Sequence, residues 1–494
     1  MGIVTELQLV LLLVTVWVTE RLCKRVNVSP IIGQILAGLI VGPALIDVIP
    51  YVQAFRLLGK VGIMVLVVES GLIVDLDDVR RNGWRASLAA ATGVILPTIF
   101  SFVLFSGIIG TSWKTSLAVG AAISPTSLGF SAQMLGEVGE LTSPCGQLIC
   151  TAAVIDDVLS LLLLAEVQVL GEEDPKWHAF VLPVIASIGS VLVGGVTTVL
   201  ISSRTKQLSA WLSRLNHRPD GEIQRHAIEP NAEDSPGFNP RPWTDDTLNG
   251  FGSGNNLESS PFGDDRGPDG TQVQTVIDVQ PRELRSGGMV LLAMVLALAL
   301  LFAYLSALVG SSDLLGCFLG GLAFSRVPGV RQVWARQMKR HTQWGARLFF
   351  SCTVAFSVPA ILGSGGLFSI RPFWKGLALT FAAVVGKLVV GVFAGPPLTF
   401  LSFSKLGWAM NGRGEFSFFI AQEASEEGIL TAEDYSSVVW ALLLSSLAAP
   451  IAFRRVLEAD RQNIPESNVA STANALRSRP SCGETEMGSL AGRE

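Results

Sequence analysis

Residues 145–170, CGQLICTAAVIDDVLSLLLLAEVQVL, constrain this chain most strongly. A helix needs about 20 mainly apolar residues to cross the hydrocarbon of a bilayer, and this run supplies them. Yet Asp156 and Asp157 stand side by side near its midpoint. One charge at bilayer depth costs about 2.5–3.5 kcal/mol on insertion scales. Two adjacent carboxylates therefore require a proton, a cation, a water-filled cavity or a basic partner. A soluble core helix with one exposed polar edge would escape that demand, but the neighbouring apolar runs are also of membrane length. The pattern points to a site inside a membrane that binds cations and protons.

Composition agrees. The 494 residues are 49% hydrophobic and only 16% charged, where a soluble domain carries about 25% charged residues. A formal net charge of -5 gives no reason to invoke nucleic acid. The cysteines (Cys23, Cys145, Cys150, Cys317, Cys352, Cys482) are scattered without metal-ligand spacing and read as free thiols. The first apolar run has no basic segment before it. It ends in Glu20 and Arg21 without a small-residue cleavage site, so it reads as a retained span and not a signal peptide.

Hydropathy marks candidate spans at about 4–22, 29–48, 55–74, 86–110, 114–135, 145–170, 179–203, 287–310, 312–327, 346–363, 374–395, 406–424 and 435–453. They lack the alternation of a barrel, so they read as helices, giving an all-α polytopic membrane protein of about 13 transmembrane helices. Basic residues follow alternate spans: Arg21, Lys24 and Arg25; Arg80, Arg81 and Arg85; Arg204, Lys206, Arg214 and Arg218; Arg326, Arg331, Arg336, Lys339 and Arg340; Arg454 and Arg455. The loops between are poor in Lys and Arg, and EEGILTAEDY at 426–435 is acidic. This bias places the N-terminus outside and the C-terminus in the cytoplasm; plasma membrane and organelle membrane both fit.

The expected organisation is a first membrane repeat with connector helix (1–204), an insert (205–286), a second membrane repeat (287–454) and a tail (455–494). The insert and tail are polar, and the insert is rich in Pro, Gly, Asp and Asn; such segments bury too little apolar surface to offset their ordering entropy, and both are expected to be disordered and cytoplasmic. Leu208, Trp211, Leu212 and Leu215 share one helical face, so the start of the insert reads either as a surface helix or as linker. Residues 328–344, with Val333, Trp334, Arg336, Lys339 and Arg340, read as a helix on the membrane surface. GSGG at 363–366 reads as a loop.

Two motifs would interrupt helices in mid-membrane: ISPTSLG (123–129) in the fifth span and MNGRGEF (410–416) in the twelfth. Each is fifth of six in its half. Paired broken helices at corresponding positions mark a transporter site, and an odd connector forces the second half to run inverted. The fold expected is two inverted six-helix repeats with crossed broken helices.

Neighbouring helix positions lie about 100° apart around the axis, so Asp156 and Asp157 face different surroundings. Lys387, in FAAVVGKLVVGVFAG of the eleventh span, is the natural partner of one of them; snorkelling to an interface is the competing reading. Arg413 and Glu415 could pair with each other or with Glu69 of VVESGL in the third span, holding the break together with Pro125 and Gly414. Ser124, Thr126 and Ser127 offer hydroxyls, and unwound backbone offers carbonyls, the oxygen ligands a hard monovalent cation wants. No His or Cys cluster, phosphate-binding loop or dinucleotide fingerprint is present, so neither enzyme chemistry nor a cofactor is expected.

SPIIGQILAGLIVGP, ESGLIVDLDDVRR, ISPTS, AAVIDDVLSL, GKLVVG and GRGEFSFFIA, taken together, resemble the cation/proton antiporter superfamily in its second branch. That branch holds the bacterial electrogenic sodium/proton antiporters and the Kef-type potassium efflux systems. The resemblance implies that Asp157 binds the ion and that Asp156 forms a salt bridge with Lys387. It implies exchange of a monovalent cation, sodium first, for protons, electrogenic at two protons per cation; the ion site expected is Asp156 and Asp157, with Thr126 and Ser124 added for the hydroxyls they offer. It also implies a moving core of spans 4–6 and 11–13, a scaffold of spans 1–3 and 8–10, and a homodimer. Kef-type relatives typically carry Gln in place of the first aspartate and add a nucleotide-sensing domain; this chain shows neither. The alternatives are a Kef-like potassium/proton exchanger, a cation channel or a non-transporting sensor. An intramembrane aspartyl protease needs its two aspartates on different helices, commonly with a GxGD motif that is missing here.

Overall fold

The computed structural model describes residues 2–25, 29–137, 139–171, 177–205, 207, 284–359, 366–395 and 399–462. All regular structure among them is helical. Nearly all of the 205–286 insert lies outside the described residues, as do Leu208 to Leu215, residues 363–365 and the tail beyond Gln462.

Helices fall in every segment that hydropathy marks. In chain order they are α1 (Gly2–Arg25), α2 (Pro30–Val41), α3 (Val52–Ile73), α4 (Leu76–Phe102), α5 (Trp113–Ile123), α6 (Leu128–Glu137), α7 (Pro144–Leu170) and α8 (Trp177–Ser203). After the insert come α9 (Leu284–Leu308), α10 (Asp313–Ala323), α11 (Val330–Gln337), α12 (Arg347–Phe356), α13 (Ile370–Leu388), α14 (Phe400–Ala409), α15 (Glu415–Glu426) and α16 (Ala432–Gln462). Six stretches are long and apolar enough to cross a membrane: Leu76–Ile109, Pro144–Leu170, Ala179–Ser203, Gly288–Leu308, Ile370–Ala394 and Ala432–Asp460. The fifth and twelfth segments are absent from that set because each is split into two short helices.

Two boundaries differ from the sequence reading. The helix after the insert begins at Leu284, and α16 continues to Gln462 where a disordered tail was expected from 455. Leu457 is buried, and Asp460 forms an ion pair with Lys405 at 2.7 Å, which holds this polar turn in helical form.

The chain divides into two compact units. The first takes residues 1–52, 78–174 and 351 onward; the second takes 53–77 and 175–350. Each draws on both halves of the sequence. α1 and α2 belong with the first unit. The reason is close packing on the end of α12: a Cβ at Gly38 would meet Ala355 Cβ at 2.6 Å, and one at Gly42 would meet the Phe356 ring at 2.5 Å. The Ser351 hydroxyl donates to Gln34 Oε1 (3.1 Å) at the same junction.

Within the second unit, α9 and α10 approach through small residues. Gly316 and Gly320 of α10 face the backbone of Phe302–Ala303 and of Ala299 on α9, and an added Cβ at Gly320 would lie 2.3 Å from Ala299 Cα. Small residues one turn apart let membrane helices close to backbone contact. Gly320→Val is expected to destabilise the protein by about 1–3 kcal/mol through overpacking. Its thermal unfolding in detergent checks this, and an unchanged midpoint would contradict the packing described.

Candidate ion-binding site

The site belongs wholly to the first unit. α5 starts under a Ser112 cap, whose side chain accepts from the Thr115 N–H at 3.1 Å. It stops at Ile123, two residues ahead of Pro125, which has no N–H to donate to the helix. The chain resumes as α6 at Leu128. α14 starts in a capping box made by Thr399 and Ser402. It ends at Ala409 ahead of Gly412 and Gly414, and α15 resumes at Glu415. Both breaks fall where the sequence put them.

The two unwound segments meet. The Ser127 N–H donates to the Gly412 carbonyl (2.8 Å), the Thr126 hydroxyl to the Met410 carbonyl (3.0 Å) and the Ser131 hydroxyl to the Ala409 carbonyl (2.7 Å). Each break leaves carbonyls unpaired at one helix end and N–H groups unpaired at the next. The opposing segment satisfies part of that demand. There is no room for larger residues: a Cβ at Gly412 would collide with the Phe130 ring, and one at Gly414 would lie 2.8 Å from Ser127 Cβ.

Asp156 projects from α7 into this junction. Its Oδ1 meets Lys387 Nζ at 3.2 Å, and its Oδ2 accepts from the Thr126 N–H at 2.5 Å. Lys387 Nζ also donates to the Thr126 hydroxyl at 2.5 Å. Asp156 and Lys387 are both 0% exposed, so the lysine does not snorkel. Gly93 of α4 makes room for it, since a Cβ there would stand 3.3 Å from Nζ. Thr126 thus holds both members of the ion pair and ties them to the second break through Met410.

Asp157 is different. Among the described residues its carboxylate makes no hydrogen bond and no ion pair, although only 3% of the residue is exposed. Asp156, Glu415 and Lys387 are its charged neighbours. A buried carboxylate without a protein partner is the group that a proton or a small cation would satisfy.

Arg413 does not rest on Glu415. Its Nη1 donates to the carbonyls of Ser124 (3.2 Å) and Pro125 (3.3 Å), the negative end of α5. Among the described residues its Nε and Nη2 have no hydrogen-bond partner. Ser417 adds a hydroxyl to the Pro125 carbonyl at 3.2 Å. The Ser124 hydroxyl donates to the Ala121 carbonyl of its own helix (3.1 Å). Glu69 lies on α3 in the second unit.

Sequence reasoning missed several contributors. Ser131 and Ser417 each sit about one turn past a break, a position that could have been searched. The Met410 carbonyl and the Thr126 N–H are backbone groups that no side-chain motif announces. Lys405, near the start of the twelfth segment, pairs with Glu140 and Asp460 and pins α14 to the α6–α7 turn and to the end of α16. Each partner is distant in sequence.

Comparison with known proteins places the chain in a family. The profile of a family described as "Sodium/hydrogen exchanger, transmembrane" matches residues 9–216 and 286–459. The chain is 22% identical to the Na(+)/H(+)-K(+) antiporter GerN of Bacillus cereus, over 90% of this chain and 94% of that protein. It is 21% identical to the high-affinity Na(+)/H(+) antiporter NhaS3 of a Synechocystis strain, over 91% of this chain and 89% of that one. Among solved structures it resembles the sodium proton antiporter MjNhaP1 of Methanocaldococcus jannaschii, with a TM-score of 0.57 at 13% identity, covering 90% of this chain and 96% of that chain. That last likeness is one of fold.

Proposed function

This chain belongs to the sodium/hydrogen exchanger family, and from that premise we propose that it is a secondary antiporter exchanging a monovalent cation, sodium first, for protons across a membrane. The observation that carries the reading is the Asp157 carboxylate, almost fully buried and without a hydrogen-bond or ion-pair partner among the described residues, beside the buried Asp156–Lys387 pair. One carboxylate that accepts either a proton or a cation, never both, couples the two fluxes by competition. Asp156 pairs with Lys387 when the cation is absent. An arriving cation draws on Asp156, weakens the bridge and lets the ammonium give up a proton. A second proton leaving Asp157 makes the cycle electrogenic. Alternating access then needs a shift of the elements that carry the two breaks. A Kef-like potassium exchanger keeps less support, because the chain retains Asp156. GerN, whose name includes potassium, makes that ion a necessary arm of the test.

Competition has a kinetic signature. In proteoliposomes, the apparent KM for sodium should rise about tenfold per pH unit for each proton the cation displaces, up to about a hundredfold where Asp157 and Lys387 both start protonated, with the maximal rate unchanged. Lithium and potassium run beside it rank the cations. A maximal rate that falls with acidity at constant KM would contradict a shared site.

A further inference from the structure

Residues 326–347 join α10 to α12 and run RVPGVRQVWARQMKRHTQWGAR. No Asp or Glu occurs anywhere from 314 to 414, so these bases have no acidic neighbour in sequence. Two of them are used inside the second unit: Arg326 pairs with Asp77 at 2.5 Å, and Arg331 donates to the carbonyls of Leu72 (3.1 Å) and Val74 (3.0 Å). α11 buries Val330, Val333 and Trp334. Its other face carries Arg336, and the following turn carries Lys339 and Arg340. The side chains of these three make no ion pair or hydrogen bond among the described residues, and Arg336 and Arg340 are exposed. About one turn further on, the Trp344 indole is 44% exposed.

We propose that Arg336, Lys339 and Arg340, flanked by Trp344, bind the headgroup of an anionic phospholipid. The segment runs between two apolar segments, α10 and α12, so it lies at the membrane boundary. There a Trp indole partitions to headgroup level, and Arg and Lys donors meet phosphate oxygens. Charge selects the lipid class: three cations without a counter-ion among the described residues favour a net-negative headgroup over a zwitterionic one. A soluble acidic segment would satisfy the charges but would leave the exposed indole without an apolar neighbour.

The full-length protein in neutral detergent, titrated with phosphatidylglycerol or phosphatidylcholine and read by native mass spectrometry, tests this. Phosphatidylglycerol should be retained in preference. Replacing all three bases (Arg336→Gln, Lys339→Gln, Arg340→Gln) should weaken its retention about a hundredfold, at roughly fivefold per basic residue. Trp344→Ala should weaken retention of both lipids. A double variant at another basic loop, Arg80→Gln with Arg81→Gln, should leave retention as in the parent. Equal retention of the two lipids by the parent would overturn the proposal. So would retention unaffected by the triple variant, loss matched by the Arg80/Arg81 variant, or displacement of phosphatidylglycerol by a poly-glutamate peptide at equal concentration. Lipid retention is read without transport, so its failure and failure of the antiport reading are separable.

Discussion

Asp157→Asn should reduce cation-driven proton flux in proteoliposomes to the level of protein-free vesicles. Asparagine has nearly the shape of aspartate but can neither take up a proton nor carry charge in this range. Two unit charges 4 Å apart attract by about 4 kcal/mol at an effective dielectric of 20, roughly a thousandfold in affinity. That attraction disappears with the carboxylate, and so does the competition that couples the fluxes. The fold should survive. Asp157 has no hydrogen bond or ion pair among the described residues, so its replacement orphans no partner. A thermal unfolding midpoint close to the parent's is expected, and it separates loss of a ligand from loss of structure. Robust cation-dependent proton flux in Asp157→Asn would remove that residue from the mechanism.

Lys387→Ala carries the second large effect, and it is of another kind. Lys387 and Asp156 are both fully buried and joined at 3.2 Å. Removing one member of a buried pair leaves the other uncompensated, at about 3–5 kcal/mol. The Thr126 hydroxyl loses its donor in the same stroke. Lys387→Ala should therefore unfold at a markedly lower temperature than the parent. Combining Asp156→Asn with Lys387→Met should restore much of that loss, because no unpaired charge is then buried. Exchange that persists in the double variant should no longer respond to an imposed membrane potential, since no lysine remains to release a second proton. If Lys387→Ala costs no stability, or if the double variant is no better than the single, the bridge is not the strut described. Unchanged voltage dependence would detach it from proton coupling.

The hydropathy of this chain makes its helical segments legible because lipid-facing and core-facing residues are alike apolar. The two breaks are legible because Pro125, Gly412 and Gly414 have direct backbone consequences. That Lys387 pairs with one of the two aspartates is legible because buried charges of opposite sign must find each other, while the choice of Asp156 comes from the family resemblance. What the sequence does not carry is tertiary. The partners of Arg413 are carbonyls of Ser124 and Pro125, 289 and 288 positions away in the chain, which no local motif announces. Thr126 looks like a cation ligand by residue type, yet its N–H and hydroxyl hold Asp156 and Lys387. The last turns of α16 are polar and look dispensable, but Asp460 is anchored by Lys405. The grouping of α1 and α2 with the first unit depends on glycine contacts with α12 that no periodicity reveals.

Equilibrium binding of radioactive sodium to the purified protein in weakly buffered detergent, with proton release followed in the same cuvette, tests most directly whether one carboxylate serves both ions. The account predicts that the parent protein takes up sodium and releases protons in step, and that Asp157→Asn, folded, does neither. Sodium uptake without proton release in the parent, or both persisting in Asp157→Asn, would contradict it.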